Sequence, residues 1–224
     1  MPSIHHLFCL ALFPAGSFTV ISMALACFLI GGLPFGFFAG KLKGLDIRDE
    51  GSGNIGATNV LRVMGRGWGY TVFALDFLKA FLPVLALRYL LYRNWIHAPP
   101  LSNESLLILC GVLVVLGHNY CPYLGFKGGK GMTSSAGFLM ALMPWVFLTC
   151  FLTWLLFFYA TRYVSVASMM ASLSVPIATW FFYREKPEYL GLGIILFALG
   201  IWRHRTNIVR LAQGTEHRFG DKKA

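Results

Sequence analysis

A lysine set among glycines directly ahead of an apolar segment can aim a cation, free backbone N–H groups and a helix amino terminus at one anion. The run Gly125-Phe126-Lys127-Gly128-Gly129-Lys130-Gly131-Met132-Thr133-Ser134 has this composition. A second run, Gly51-Ser52-Gly53-Asn54-Ile55-Gly56-Ala57-Thr58-Asn59 followed by Arg62, mixes glycine, hydroxyl and amide groups with a forked cationic donor suited to phosphate oxygens. A third, Arg203-His204-Arg205-Thr206-Asn207-Ile208-Val209-Arg210-Leu211-Ala212-Gln213-Gly214-Thr215-Glu216, places His204, Asn207 and Leu211 on one face if it is helical. Read singly, each has a plainer use: a loop that sets topology, a flexible basic linker, or a basic tail binding anionic lipid. Gly51 to Gly56 also spells GxGxxG, but Asp46-Ile47-Arg48-Asp49-Glu50 ahead of it is no hydrophobic strand, so a dinucleotide fold is excluded. The Lys130 run lacks the spacing of a Walker A loop.

What must position these runs is membrane helix. The 224 residues are 57% hydrophobic and 12% charged, beyond what a water-soluble core uses. Apolar stretches near 17–40, 67–92, 104–124, 131–147, 147–162, 164–183 and 188–203 approach the ~20 residues that cross a bilayer. The fold expected is all-α: a polytopic bundle of about seven transmembrane helices with a tight turn around Met143-Pro144-Trp145. The chain reads as one integral-membrane domain, 1–224, with an N-terminal extension at 1–16 and a cytoplasmic tail at 204–224. The opening MPSIHH lacks the basic start of a secretory signal, so the first apolar stretch is expected to remain as a span.

The formal charge of +10 is unevenly placed. With seven spans, fourteen Lys and Arg fall on one side and four on the other, and Lys79 lies within a span. By the positive-inside rule the amino terminus is outside, the carboxyl terminus is cytoplasmic, and all three glycine- or arginine-rich runs share the cytoplasmic face. Within the second span Asp76 and Lys79 sit three residues apart, either as an ion pair that positions the helix or as a functional group. Five cysteines, Cys9, Cys27, Cys110, Cys121 and Cys150, lie mostly in apolar runs without CxxC spacing and read as buried thiols. His5 and His6 read as a solvated terminus.

These motifs, in this order, resemble the acyl-phosphate:glycerol-3-phosphate acyltransferases of bacterial inner membranes. The likeness runs from about Ile30 onward. It includes Leu33-Pro34-Phe35-Gly36, Asp46-Ile47-Arg48, GSGNIGATNVLR at 51–62, Asp76 with Lys79, Gly117-His118, FKGGKG at 126–131 and RHRTNIVRLAQGTE at 203–216. Ala80 stands where the family commonly has glycine, and Met132-Thr133-Ser134 varies the usual residues. The resemblance implies transfer of a fatty acyl group from acyl phosphate to glycerol 3-phosphate, giving lysophosphatidic acid and phosphate, the first acylation of bacterial phospholipid synthesis, in the inner membrane with the site on its cytoplasmic side. Carried over by motif position, the catalytic residues are Ser52, Arg62, Lys130, His204 and Asn207. Substrate-binding residues are Gly51, Gly53, Asn54, Thr58, Asn59, Gly128, Gly129, Gly131, Arg205 and Glu216. The proton acceptor is His204 or a phosphate oxygen of the donor.

The partners expected are acyl phosphate, glycerol 3-phosphate and membrane lipid, with no nucleic acid, obligate protein partner, metal or organic cofactor. A small transporter of a phosphorylated metabolite is the competing reading, though neither an internal repeat nor a mid-membrane cluster beyond Asp76 and Lys79 supports it. A lipid-binding scaffold is the third, and would leave the two glycine-rich runs without a purpose.

Overall fold

The structure, a computed structural model, describes residues 16–96 and 101–220, and among these it is entirely helical. His5, His6, Cys9, Lys222 and Lys223 lie outside the described residues. Helices α1 (Ser17–Gly32) and α2 (Phe35–Leu42) form one span broken at Leu33-Pro34. There follow α3 (Ala57–Met64), α4 (Arg66–Tyr92), α5 (Asn103–Asn119), a 3-10 turn at Pro122–Leu124, α6 (Met132–Leu142), α7 (Pro144–Thr161), α8 (Val164–Phe182), α9 (Pro187–Arg203) and α10 (Arg205–Ala212).

Five segments are long and apolar enough to cross a membrane: Ser17–Leu42, Arg66–Tyr92, Asn103–Leu124, Pro144–Thr161 and Val164–Phe182. Two of the seven expected spans are shorter. The stretch expected at 131–147 contains only the eleven residues of α6, about 16 Å of helix against a ~30 Å hydrocarbon layer. At 17 residues, α9 falls just short of a full span. The reversal near Pro144 is present: α6 ends at Leu142, Met143 leaves the helical conformation, and Pro144 opens α7, where its missing N–H costs nothing.

The bundle packs through small residues, as helices in lipid must when no hydrophobic gain separates side chain from solvent. A Cβ on Gly31 would lie 2.0 Å from the Val114 carbonyl oxygen and one on Gly117 2.1 Å from that of Phe28, so α1 and α5 touch backbone to backbone. Gly137 brings α6 equally close to the Phe77 carbonyl on α4. The main core is Val84, Leu106, Cys110, Val114, Phe138, Met143, Val146 and Leu192 with their neighbours, and α7 turns most of its surface outward. Cys27, Cys110, Cys121 and Cys150 are buried free thiols. A smaller core of Ala39, Ile47, Ile55, Val60 and Val72 anchors the 43–56 loop to α3 and α4.

Four connections meet at one end of the bundle. The Phe219 N–H donates to the Arg162 carbonyl, Arg203 reaches the 128–129 backbone, and Lys130 reaches Asn207.

Candidate active site

The loop before α3 is stitched by one amide. Asn59 Nδ2 donates to the carbonyls of Ile47 (3.2 Å) and Glu50 (2.9 Å), while its Oδ1 accepts the Ser52 N–H at 2.8 Å. Asp46 pairs with Arg48 through two side-chain bonds at 2.9 and 2.7 Å, which hold its carboxyl well below the usual range. Gly51 and Gly53 take positive φ (60° and 70°), where a side chain would be strained, and let the loop close. The hydroxyl of Ser52 and the guanidinium of Arg62 then face the same cleft.

The Lys130 loop is fixed from the opposite direction. Arg203 Nη2 donates to the carbonyls of Gly128 (3.0 Å) and Gly129 (2.6 Å) and stacks over Tyr120, while the Gly129 N–H donates to the His118 carbonyl (3.0 Å). A Cβ on Gly128 would lie 2.1 Å from the His118 carbonyl oxygen, and one on Gly129 2.1 Å from His118 Nε2. These two glycines are small because the loop must press on α5, and the Gly129 N–H is spent inside the protein. What the loop offers outward is Lys130 with the first turn of α6.

Lys130 Nζ donates to Asn207 Oδ1. Asn207 Nδ2 donates to Glu216 Oε1 (2.6 Å), which also accepts from Ser165 (2.8 Å), while Arg210 Nε holds the second carboxylate oxygen at 3.0 Å. The partner of the lysine is thus a neutral amide, and the nearby carboxylate is already saturated. Burial pulls the Lys130 ammonium down to about 8, against the opposing pull of Glu216. Burial, aided by the Lys130 charge, takes His204 down to about 4. His204 Nδ1 lies 2.8 Å from the Gly200 carbonyl. A carbonyl only accepts, so Nδ1 carries the proton and Nε2 of the neutral ring is bare.

Ser52, Asn54, Thr58, Asn59, Arg62, Lys130, Gly131, His204, Asn207 and Glu216 therefore line one polar cleft of about 100 Å³. Gly51, Gly53, Gly128 and Gly129 shape it from behind. Arg205 lies apart: it is exposed, stacks on Trp202 and donates to the Trp202 carbonyl at 3.1 Å. Arg203 and Arg205 differ in environment because two helical steps turn a side chain about 200° around the axis, which no residue-type pattern reveals.

Three helix amino termini open on the cleft, through Ala57 and Thr58 of α3, Met132 and Thr133 of α6, and Val164 and Ser165 of α8. Their unpaired N–H groups and aligned dipoles add positive potential to that of Arg62, Lys130 and Arg210. The cleft is also lined by residues outside the predicted site set, among them Asp76, His118, Ser165, Ser168, Arg210 and His217; for His118, its pairing with Gly117 in an otherwise apolar span was the available signal. Behind the cleft, Lys79 Nζ lies 2.7 Å from Asp76 Oδ1 and 2.9 Å from His118 Nδ1, and donates to the Leu33 carbonyl at 2.8 Å. The contact to Asp76 is an ion pair too poorly aligned to count as a hydrogen bond.

Thr58, Lys130, Met132, Thr133, Val164 and Ser168 also line a second cavity, about 810 Å³ and walled almost wholly by apolar groups. It runs from the cleft toward the middle of the bundle between α4, α6, α7 and α8. Asn119 also lines this cavity: its amide is buried, and among the described residues neither of its polar atoms has a protein partner.

A helical membrane protein whose anion cleft opens directly into an apolar cavity is built for a substrate with a charged head and a hydrocarbon tail. The family model for glycerol-3-phosphate acyltransferase matches residues 21–214. A glycerol-3-phosphate acyltransferase of Aquifex aeolicus is 43% identical over 199 residues, covering 88% of this chain and 97% of that protein. One from Thermosynechococcus vestitus is 39% identical, covering 88% and 94%. A crystal structure of PlsY (YgiH), an integral membrane glycerol 3-phosphate acyltransferase in its glycerol 3-phosphate form, aligns with a TM-score of 0.78 at 42% identity, covering 90% of this chain and 96% of that one. The lysophosphatidic acid form of that enzyme aligns at 0.76. The chain belongs to the glycerol-3-phosphate acyltransferase family, and it is an acyltransferase of phospholipid synthesis.

Proposed function

We propose that the protein transfers a fatty acyl group from acyl phosphate to the hydroxyl of glycerol 3-phosphate, releasing lysophosphatidic acid and inorganic phosphate. The observation that carries this reading is the shared wall: Lys130 and Thr58 belong at once to the cationic cleft and to the 810 Å³ apolar cavity. An acyl phosphate laid across that wall puts its tail in the cavity and its phosphate at Lys130 and the first turn of α6. Arg62, Ser52 and the His204/Asn207 face then hold the phosphate and hydroxyls of glycerol 3-phosphate.

Acyl phosphate is already activated, so catalysis reduces to alignment, exclusion of water and stabilisation of the departing phosphate. The attacking oxygen bonds to the acyl carbon, the C–O bond to phosphate breaks, and the hydroxyl proton must leave. A ring with a pKa of about 4 is a weak acceptor at neutral pH, where general bases work best when their pKa is near ambient. A phosphate oxygen, with a second ionisation at about 6, is the better acceptor. His204 Nε2 then accepts a hydrogen bond that orients the attacking hydroxyl.

Orientation follows from charge. Counting α6 and α9 with the five long spans makes seven crossings, with the amino terminus outside and the cleft and carboxyl terminus on the basic, cytoplasmic side of the inner membrane. Residues 1–224 act as one domain.

Purified protein in detergent, given acyl phosphate and radiolabelled glycerol 3-phosphate, is expected to form lysophosphatidic acid. Failure to do so, with uptake of label into sealed vesicles instead, would favour a transporter.

A further inference from the structure

The apolar cavity has an end. On α4 its wall runs from Gly69 to Phe77 and Leu78, on α7 from Phe158 to Phe147, and on α8 from Val164 to Val175. All three series start beside the cleft and stop at a similar depth, eleven residues along α7 and α8, or about 16 Å of helix. At that depth the rings of Phe77 and Phe147 meet edge to face across the cavity, with centroids 6.1 Å apart and planes at 65°. Each ring is braced on its own helix, Phe77 by Phe81 and Phe147 by Phe151, so the pair is not free to swing aside independently.

The side of the cavity is open where its end is closed. Tyr70, Phe73 and Phe151 line it and are also exposed, which leaves a lateral gap between α4 and α7 on the lipid-facing surface. A chain that fits within the depth stays packed against the walls. A longer one meets the two rings and must bend out through the gap.

We infer that the Phe77–Phe147 pair is the floor that sets the length of acyl chain the enzyme prefers. This rests on the acyl-transfer reading above. An extended polypeptide advances about 3.5 Å over three bonds, so ~16 Å corresponds to about 14 bonds of extended chain. Because the tail arrives from lipid, which is as apolar as the cavity, discrimination comes from packing and strain rather than from transfer out of water. Ala74 lies on the same wall, about one turn nearer the cleft than Phe77, and is the place to raise the floor.

The test uses the purified full-length protein, glycerol 3-phosphate and an equimolar series of saturated acyl phosphates, with the lysophosphatidic acids formed resolved by mass. Phe77→Ala and Phe147→Ala are expected to raise the ratio of long-chain to short-chain product about fivefold, and Ala74→Leu to lower it by a similar factor, the lower end of the cost of forcing methylenes into a packed site. Ala74→Leu keeps the test decisive should either phenylalanine variant fail to fold. A chain-length distribution unchanged in Ala74→Leu and in any folded phenylalanine variant overturns the floor. So does a uniform fall across all lengths. Wild-type protein that makes no product from any member of the series would remove the acyl-transfer reading itself.

Discussion

Two lysines in this molecule are withdrawn from solvent, Lys79 fully and Lys130 in part, and they differ in everything around them. Lys79 has a side chain 3% exposed, sits against Asp76, His118 and the Leu33 carbonyl, and is matched one charge to one. Its carbonyl partner, Leu33, lies at the break ahead of Pro34 in the first span and also accepts the Phe35 N–H, so the cation is tied to that break. Lys130 bonds a neutral amide, its nearest carboxylate is engaged by Asn207, Ser165 and Arg210, and Arg62, Arg203 and Arg210 add further positive charge. The first arrangement is complete in itself. The second has a surplus of positive potential, which three helix termini increase, and an anionic substrate supplies what it lacks.

The sharpest way to break this contrast is to remove Asp76. Asp76→Asn leaves the Lys79 cation uncompensated among buried groups and is expected to lower stability by about 3–5 kcal/mol, read as thermal unfolding in detergent. Adding Lys79→Met should restore most of the loss. Equal melting of the single and double variants would show that the pair does not carry structural weight.

Lys130→Met should do the opposite: kcat/KM falls about 10²- to 10³-fold, the effect of losing one donor to developing charge, with the melting temperature unchanged. Near wild-type turnover would remove Lys130 from the anion site.

A pH profile sharpens the same point. The Lys130 ammonium is brought down to about 8, and the protonated form is the one that binds phosphate, so kcat/KM should be sustained below pH 8 and decline as pH rises through it. Lys130→Arg keeps its proton at higher pH, and should move that decline upward even if overall activity drops. The smallest effect is expected at Arg205→Ala, within about 0.5 kcal/mol in stability and with little change in kcat/KM, because Arg205 is exposed and, among the described residues, hydrogen-bonds to and stacks on Trp202.

The amino-acid order determined that the chain is helical and membrane-embedded, where the Pro144 reversal falls, and which three runs could hold anions, because apolar length, proline and glycine act locally. It also offered the family through motifs long enough to stand alone. It did not distinguish Arg203, which fastens the glycine loop, from Arg205, which touches nothing in the cleft. Nor did it reveal that Gly128 and Gly129 are small in order to press on His118, or that α6 is only half a span. Only the tertiary structure decided that three helix amino termini share one cleft, that the cleft opens into an apolar cavity, and that Phe77 and Phe147 close its far end. Those are consequences of how helices distant in sequence pack, and the direction of a side chain around a helix is fixed by its neighbours rather than by its own identity.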